Sequence, residues 1–216
     1  MIISRLQYIS QGNTPKEHLI NIQDAIGAGC DWVQLRMKNI EEKLYLETAI
    51  EAKKITSLNG AKLIINDNVK VALACGAEGI HLGKEDLEPE KARKQVGDSM
   101  IIGGTANTLQ DVLWLHKQGV NYVGLGPFRY TTTKNVLSPT LGVSGLSDIM
   151  LSVNQGCIHT PIVAIGGIKA DDIEEIRSTG IYGVAVASAI THSEDKKTLI
   201  TRMKNGMTHG SISNKR

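Results

Sequence analysis

The sequence predicts a single (β/α)8 barrel (a TIM barrel), in which eight parallel strands close into a ring inside a layer of helices. Short apolar segments alternate with longer segments of helical periodicity along nearly the whole chain, which is typical of parallel strands joined by helical crossovers. Eight such units fit within the 216 residues, and most strand segments are apolar throughout, as expected when both faces are buried. An open, doubly wound sheet is the alternative. It would carry a glycine-rich fingerprint after the first strand, and Gln11-Gly12-Asn13 is not one.

The first four units contain clear helix start and stop signals. Thr14 is placed to cap a helix that has Pro15 in its first turn, and Gly27 to Gly29 end that helix. Pro89 opens the helix of the fourth unit in the same way. The predicted strands are Leu6 to Ser10, Trp32 to Arg36, Ala61 to Ile65 and Gly79 to Leu82, and the predicted helices are Thr14 to Gly27, Asn39 to Leu58, Val69 to Cys75 and Pro89 to Val96.

The last four units repeat the pattern with one interruption. A polar loop from Gly126 to Gly142 follows the sixth strand, and its length is typical of an active-site lid. The predicted strands are Met100 to Gly103, Asn121 to Leu125, Ile162 to Ile165 and Gly183 to Val186, and the predicted helices are Thr108 to Gln118, Leu146 to Val153, Ala170 to Arg177 and Glu194 to Met203. We therefore expect one catalytic domain over residues 1–206 and a polar, disordered tail over 207–216.

The amino-acid composition limits which kinds of binding partner and which cellular compartment we expect. The 24 basic and 22 acidic residues leave a net charge of +2, which does not favour a nucleic-acid partner. The three cysteines contain no Cys-x-x-Cys spacing, which argues against a zinc site and fits a reducing compartment. The chain lacks an apolar run of membrane-spanning length and a signal-peptide pattern at its N-terminus. We expect a cytoplasmic protein without a membrane partner, and the sequence leaves open whether it forms a homo-oligomer.

Polar side chains cluster where the second strand ends. Active sites of such barrels lie at the carboxyl ends of the strands. Because strand side chains alternate, Gln34, Arg36 and Lys38 should face the barrel mouth together, while the apolar residues between them face the helices. Two cations and an amide in register predict an anion clamp, with Arg36 shaped for bidentate phosphate contact. A solvated strand end is the alternative.

Two aspartates follow neighbouring strands. Asp67 comes directly after the third strand and Asp86 shortly after the fourth, so both carboxylates should emerge at one edge and could hold Mg²⁺. Each could instead cap the helix that follows it. His81 lies within the fourth strand, where it is either a hydrogen-bonded core histidine or part of the site. Thr105 follows two small residues that leave room for a ligand.

The loop after strand six carries three hydroxyls and a cation, Thr131 to Lys134, which suit phosphate recognition, and a merely flexible loop is the alternative. Lys134 joins Asp67, Asp86 and Arg36 in a cation-assisted locus, and a second, metal-free locus is expected around Gly167 and Ser188. Gly166-Gly167 and Ser188 follow strands seven and eight, between which barrels often bind a phosphate, and tight turns without a ligand are the alternative. Two anionic loci at one mouth predict two phosphorylated small-molecule substrates.

The motifs in this order resemble the thiamine-phosphate synthase (thiamine-phosphate pyrophosphorylase) family, from Leu6 to about Ala189. The matching segments are Val-Gln-Leu-Arg-x-Lys at 33–38, Asn-Asp at 66–67, Gly-Ile-His-Leu-Gly-x-Glu-Asp at 79–86, Tyr-Val-Gly-Leu-Gly-Pro at 122–127, Thr-x-Thr-Lys at 131–134, Ile-Gly-Gly-Ile at 165–168 and Ser-Ala-Ile at 188–190. Singly the glycine motifs are weak, whereas the ordered set is specific.

The resemblance implies a transferase that joins hydroxymethylpyrimidine diphosphate to a thiazole phosphate by a dissociative mechanism, giving thiamine phosphate and pyrophosphate. It implies Mg²⁺ as cofactor, held by Asp67 and Asp86. It implies that the pyrimidine diphosphate is held by Gln34, Leu35, Arg36, Met37, Lys38, Asn66, Thr105 and Lys134, of which Arg36, Asn66, Thr105 and Lys134 are catalytic. It implies that the thiazole phosphate is held by Thr131, Thr132, Thr133, Gly167, Ala187 and Ser188.

The chain departs from the family pattern at three places. Thr105 replaces the usual Ser, Ala187 replaces a larger aliphatic residue, and Phe128-Arg129-Tyr130 replaces an apolar-Tyr-Pro segment, whose lost proline is expected to loosen the lid. The sequence leaves two alternative functions open. A thiazole tautomerase resembles this chain but tends to lack the acidic pair and to carry a histidine near Pro127. A non-catalytic phosphate-binding barrel would not need a metal site.

Overall fold

The computed structural model describes residues 3–130 and 139–208. Eight parallel strands close into a barrel in chain order, which confirms the predicted fold. The strands are β1 (Leu6–Ile9), β2 (Trp32–Leu35), β3 (Lys62–Asn66), β4 (Gly79–Leu82), β5 (Ile101–Ala106), β6 (Tyr122–Leu125), β7 (Ile162–Ile165) and β8 (Gly183–Val186). The closing pair, β1 with β8, aligns Gln7 with Ala185, so no strand edge is left at the seam.

Helices surround this barrel. They are α1 (Pro15–Gly27), α2 (Glu42–Leu58), α3 (Val69–Cys75), α4 (Pro89–Val96), α5 (Leu109–Lys117), α6 (Gly142–Gln155), α7 (Ile173–Ser178), α8 (Ser188–Thr191) and α9 (Lys196–Thr208), with a 3₁₀ turn over Ala170–Asp172. Thr14 caps α1 as predicted, because its hydroxyl accepts a hydrogen bond from the Glu17 amide. None of the helices in the described ranges is both long enough and apolar enough to cross a membrane.

Strand alternation divides the core into two parts. Side chains inside the barrel form one cluster that includes Trp32, Ile64 and Tyr122. The opposite faces of the strands join the helices in a second, larger cluster, which includes Leu35 and Met37. The predicted alternation along β2 is therefore confirmed, and it leaves the polar row of that strand on the inner face.

Several element boundaries differ from the predictions. α2 begins at Glu42 rather than Asn39, because Asn39 adopts a left-handed backbone with φ of 55°. α6 begins at Gly142, four residues before the predicted start, and the short helix α8 was not predicted. α9 continues to Thr208, so the predicted domain end at residue 206 falls inside a helix whose Met207 is buried. Residues 209–216 lie outside the described ranges.

Candidate active site

The polar row of β2 reaches the carboxyl rim of the barrel. Gln34 is buried and donates a hydrogen bond of 2.7 Å from Nε2 to Asn66 Oδ1 on β3. Arg36 is partly buried, and Lys38 Nζ lies 3.2 Å from Asp67 Oδ2. The row therefore adjoins the predicted acidic pair. Leu35 sends its side chain into the outer core, so it can meet a ligand at the mouth only through its main chain.

Asp67 stands just beyond β3 in a left-handed conformation, with φ of 65°. Its amide donates to the His81 carbonyl at 2.8 Å, which ties the residue to β4. Asn68, not Asp67, caps α3, because its side chain accepts from the Val71 amide at 2.9 Å. The helix-capping alternative for Asp67 is therefore wrong.

Asp86 is not a helix cap either, because Glu88 occupies the N-cap position of α4. Burial, followed by the neighbouring Asp67 carboxylate, raises the pKa of Asp86 from 3.8 to about 6, although the Gly83 amide donates to it at 2.6 Å. The two carboxylates thus compete for ionisation, and a cation between them would relieve that conflict.

The donor set of this acidic pair suits a hard cation. Among residues 3–130 and 139–208, no group of three or more His, Cys, Asp or Glu side chains could enclose a metal ion. Mg²⁺ is commonly held by one or two carboxylates, with phosphate and water oxygens completing the shell. Asp67 and Asp86 therefore fit a metal that arrives with, or is completed by, a phosphorylated ligand.

We expect the Asp86→Asn variant to be more stable than the wild type near neutral pH when metal is removed. The raised pKa means that the folded protein binds this proton more tightly than the unfolded chain. The stability from protonated Asp86 is thus present below about pH 4 and lost as pH rises through about 6. Because Asp86 is only half-buried, we expect about 1 kcal/mol, or a rise in Tm of about 2–4 °C.

Thermal unfolding in a chelator, followed from about pH 5 to pH 8, checks this expectation against the pH dependence of the wild type. Asp24→Asn on α1 is the matched control, because it removes a carboxylate whose neighbour is Lys196 at 3.9 Å. Parallel pH profiles for wild type and Asp86→Asn would contradict the expected conflict between the two carboxylates.

Thr105 lies near the carboxyl end of β5. It shares with Asp86 a cavity of about 270 Å³, which extends toward Trp114 on α5. Thr105 Oγ1 lies 3.0 Å from His81 Nε2, and His81 Nδ1 lies 3.0 Å from the hydroxyl of Tyr122. His81 is therefore a hydrogen-bonded histidine of the barrel core, and one of its neighbours is a predicted site residue.

The second predicted locus lies across the mouth, where β7 and β8 end. Gly166 and Gly167 have positive φ angles of 101° and 66°, which favour glycine, and Ser188 is the first residue of α8. Ala187 occupies the N-cap position before it. The structure brings these residues onto the same rim as the acidic pair. Thr131, Thr132, Thr133 and Lys134 lie outside the described residues.

Arg129 ties the start of the loop after β6 to this second locus. Its guanidinium forms a two-pronged ion pair with Asp172, at 2.8 and 2.9 Å, and also donates to the Gly167 carbonyl at 2.6 Å. The Arg129 amide donates to Gly166 at 3.0 Å. Arg129 therefore supplies an ionic anchor at the start of the loop, and the expected loosening of the lid by loss of a proline stays a prediction.

Two supporting residues were not predicted from the sequence. The Tyr45 hydroxyl on α2 bonds the carbonyls of Leu35 and Asn66, at 2.9 and 3.0 Å, and so holds the ends of β2 and β3 together. Ser10 accepts a hydrogen bond from the Arg36 amide at 3.1 Å and contacts His18 Nδ1 at 2.8 Å. A polar residue at the end of β1 was visible in the sequence, whereas the buried tyrosine had no comparable signal.

Comparison with known proteins identifies the family. Residues 6–190 match the family model described as thiamine monophosphate synthase. Thiamine-phosphate synthase of Flavobacterium johnsoniae is 46% identical over 200 residues, which cover 93% of this chain and 94% of the relative. The enzyme of that name from Bacteroides fragilis is 42% identical over 190 residues, covering 88% and 93%.

A solved structure gives the same result. Thiamine phosphate pyrophosphorylase from Pyrococcus furiosus superposes with a TM-score of 0.82 at 30% identity, covering 94% of this chain and 95% of that one. Both the sequence and the fold therefore agree over nearly the full length. The chain belongs to the thiamine monophosphate synthase family.

Proposed function

We propose that the chain is a transferase that joins hydroxymethylpyrimidine diphosphate to a thiazole phosphate, forming thiamine phosphate and pyrophosphate. One observation carries the proposal: Asp67 and Asp86 lie beside the cationic row of β2 at the mouth of a barrel of this family. A diphosphate that binds with Mg²⁺ needs both carboxylates for the metal and cations for the remaining charge. This rim supplies both.

The diphosphate would lie between Arg36 and Lys38 on one side and Thr105 on the other. Arg36 offers a planar fork of donors, and the Ser10 hydroxyl holds its main chain in place. Lys134, which lies outside the described residues, joins this subsite by family likeness. When bound by Asp67 and Asp86, Mg²⁺ supplies neutralisation of the charge that develops on the departing pyrophosphate.

The pyrimidine would lie deeper, against Gln34. Among the described residues, the buried Gln34 Oε1 has no hydrogen-bond partner, so it can accept a hydrogen bond from the amino group of the ring. Asn66 fixes which way this amide faces, because its Oδ1 accepts from Gln34 Nε2. The main chains of Leu35 and Met37 would complete the contact.

The thiazole phosphate would bind across the mouth, at Gly167, Ala187 and Ser188. Barrels commonly bind a phosphate between the loops after strands seven and eight, beside a short extra helix, and α8 begins at Ser188. Thr131, Thr132 and Thr133 are assigned to this subsite by family likeness. The bridge from Arg129 to Asp172 supports the Gly167 turn from behind.

The reaction balances without a nucleophile from the chain. The bond between the methylene carbon and the diphosphate oxygen breaks, and its electron pair leaves with pyrophosphate. The pyrimidine ring stabilises the resulting cation until the thiazole nitrogen forms the new bond with its own electron pair. The chain holds both substrates in contact and excludes water. We also propose a cytoplasmic location, which three free cysteines suit.

Release of pyrophosphate from the two synthetic substrates tests the proposal. We expect release, together with thiamine phosphate, only when both substrates and Mg²⁺ are present. Metal-independent isomerisation of a thiazole phosphate without pyrophosphate would favour the tautomerase, and the acidic pair speaks against that outcome. Binding of both substrates without turnover would favour a non-catalytic barrel.

A further inference from the structure

Hydrogen-bonded side chains cross the barrel interior from β1 to the mouth. Gln7 Nε2 donates to the Tyr122 hydroxyl at 3.3 Å, that hydroxyl meets His81 Nδ1 at 3.0 Å, and His81 Nε2 meets Thr105 Oγ1 at 3.0 Å. Gln7 and Tyr122 are each 1% exposed and His81 6%. The four residues come from four different strands, β1, β6, β4 and β5. Thr105, at the end, is partly buried, unlike the other three, and is one of the residues that line a cavity together with Asp86.

The contacts along this chain favour one order of donors and acceptors. Burial raises the pKa of Tyr122, so its phenol keeps its proton. The phenol oxygen accepts from Gln7, and among the described residues His81 Nδ1 is the acceptor within reach of the phenol proton. A neutral imidazole that accepts at Nδ1 carries its proton on Nε2. His81 therefore donates to Thr105.

The last bond sets the role of Thr105. Once Thr105 Oγ1 accepts a hydrogen bond from His81, the hydroxyl proton of Thr105 points away from the barrel interior. The hydroxyl can then donate to an acceptor on a ligand at the mouth, whereas a hydroxyl that donated inward to His81 could only accept from a ligand. Phosphate oxygens are acceptors alone, so they require the first arrangement.

The rings in this chain are fixed by backbone contacts. A Cβ built on Gly103 would lie 2.2 Å from Tyr122 Cζ, and one on Gly124 would lie 3.1 Å from His81 Cε1. Trp32 and Tyr122 form a T-shaped pair, with the ring centroids 5.0 Å apart and the planes at 77°. The close packing on Gly103, Gly124 and Trp32 holds both rings in position, so the atoms that form these hydrogen bonds are placed before substrate arrives.

We propose that Gln7, Tyr122 and His81 are positioning residues that hold Thr105 as a dedicated hydrogen-bond donor to an oxygen of the diphosphate. The inference rests on the proposed function, since it names the group that a diphosphate substrate would meet. It gives Tyr122 and His81 a role that acts through Thr105 without contact with substrate. A donor preset toward the leaving oxygen stabilises charge that grows as the bond breaks.

The first test is independent of turnover. Nitrogen-15 NMR of the histidine rings, with the His81 signal assigned by its loss in His81→Asn, reports which ring nitrogen carries the proton. We expect the Nε2–H tautomer in the wild type and a change toward mixed tautomers in Tyr122→Phe, which keeps the ring but removes the phenol. The Nδ1–H tautomer in the wild type would overturn the proposal even if the enzyme is active.

The second test is a double-mutant cycle on pyrophosphate release. Thr105→Val should lower kcat about 30-fold, because the hydrogen bond to the charged diphosphate is lost. Tyr122→Phe should lower kcat about 5-fold, because that hydrogen bond is kept but misdirected. If Tyr122 acts through Thr105, the double variant should be no slower than Thr105→Val, and Thr105→Ser should keep most of the activity. Additive losses would overturn the proposal.

Tyr182→Phe is the matched control for this cycle. It removes a tyrosine hydroxyl that bonds the Ile3 carbonyl at 2.6 Å, at the far end of the barrel from the mouth. We expect no change in kcat for Tyr182→Phe. If the wild type releases no pyrophosphate, the proposed function fails, and the ring tautomer of His81 still decides whether the hydrogen bonds run as proposed.

Discussion

Replacing Asp67 with asparagine is expected to lower kcat for pyrophosphate release by about 100- to 1000-fold while the fold survives. Asparagine is nearly isosteric with aspartate and is one of the few residues that tolerate the left-handed backbone observed at this position. The amide from residue 67 to the His81 carbonyl is kept, so β3 and β4 stay tied. What is lost is a negative charge at the rim.

The measurement is the rate of pyrophosphate release over a range of Mg²⁺ concentrations, with circular dichroism to verify folding. Part of the activity should return at high Mg²⁺, because the remaining carboxylate of Asp86 can still contribute to binding. Asp24→Asn serves as the control for removal of a partly exposed aspartate away from the mouth. Unchanged turnover at low Mg²⁺ would refute the metal role of Asp67.

Replacing Gly103 with alanine is expected to destabilise the protein by about 3 kcal/mol, near the upper end for overpacking a core. The added methyl would lie 2.2 Å from Cζ of Tyr122, and a ring enclosed by Trp32 and His81 cannot move aside. The strain falls inside the barrel, in the cluster of strand side chains that includes Trp32 and Ile64. Urea unfolding measures the loss directly.

Gly104→Ala is the matched control, since it makes the same chemical change one residue along β5. Its methyl would point out of the barrel and lie 2.4 Å from Cδ2 of Leu115, the far end of a flexible side chain. Leu115 can shift its rotamer, so we expect a loss of about 1 kcal/mol or less. Equal losses in the two variants would contradict a rigid contact between Gly103 and the Tyr122 ring.

The overall fold could be predicted because alternation of strands and helices survives in every part of the chain. Side-chain direction along β2 followed from the same rule, and it correctly separated Gln34 from Leu35. The first residue of a helix was harder to predict where the backbone dihedral angle φ of one residue determines it. Asn39 and Asp67 both adopt left-handed backbones, which moved the start of α2 and gave the cap of α3 to Asn68.

The support of the site could not be predicted because it depends on contacts between distant segments. Tyr45 reaches two strand ends from a helix, and Arg129 finds Asp172 43 residues later. No local pattern encodes either pair. Residues 131–134 carry part of the proposed site and lie outside the described ranges, so their roles stay predictions.

The contact between Gly103 and Tyr122 also bears on how barrels of this kind can diverge. A larger residue at position 103 needs a smaller side chain at position 122 to make room for it, and either change alone leaves a clash or a void. Loss of the ring removes the phenol that orients His81 as well. We therefore expect the residues at these two positions to change together among related barrels.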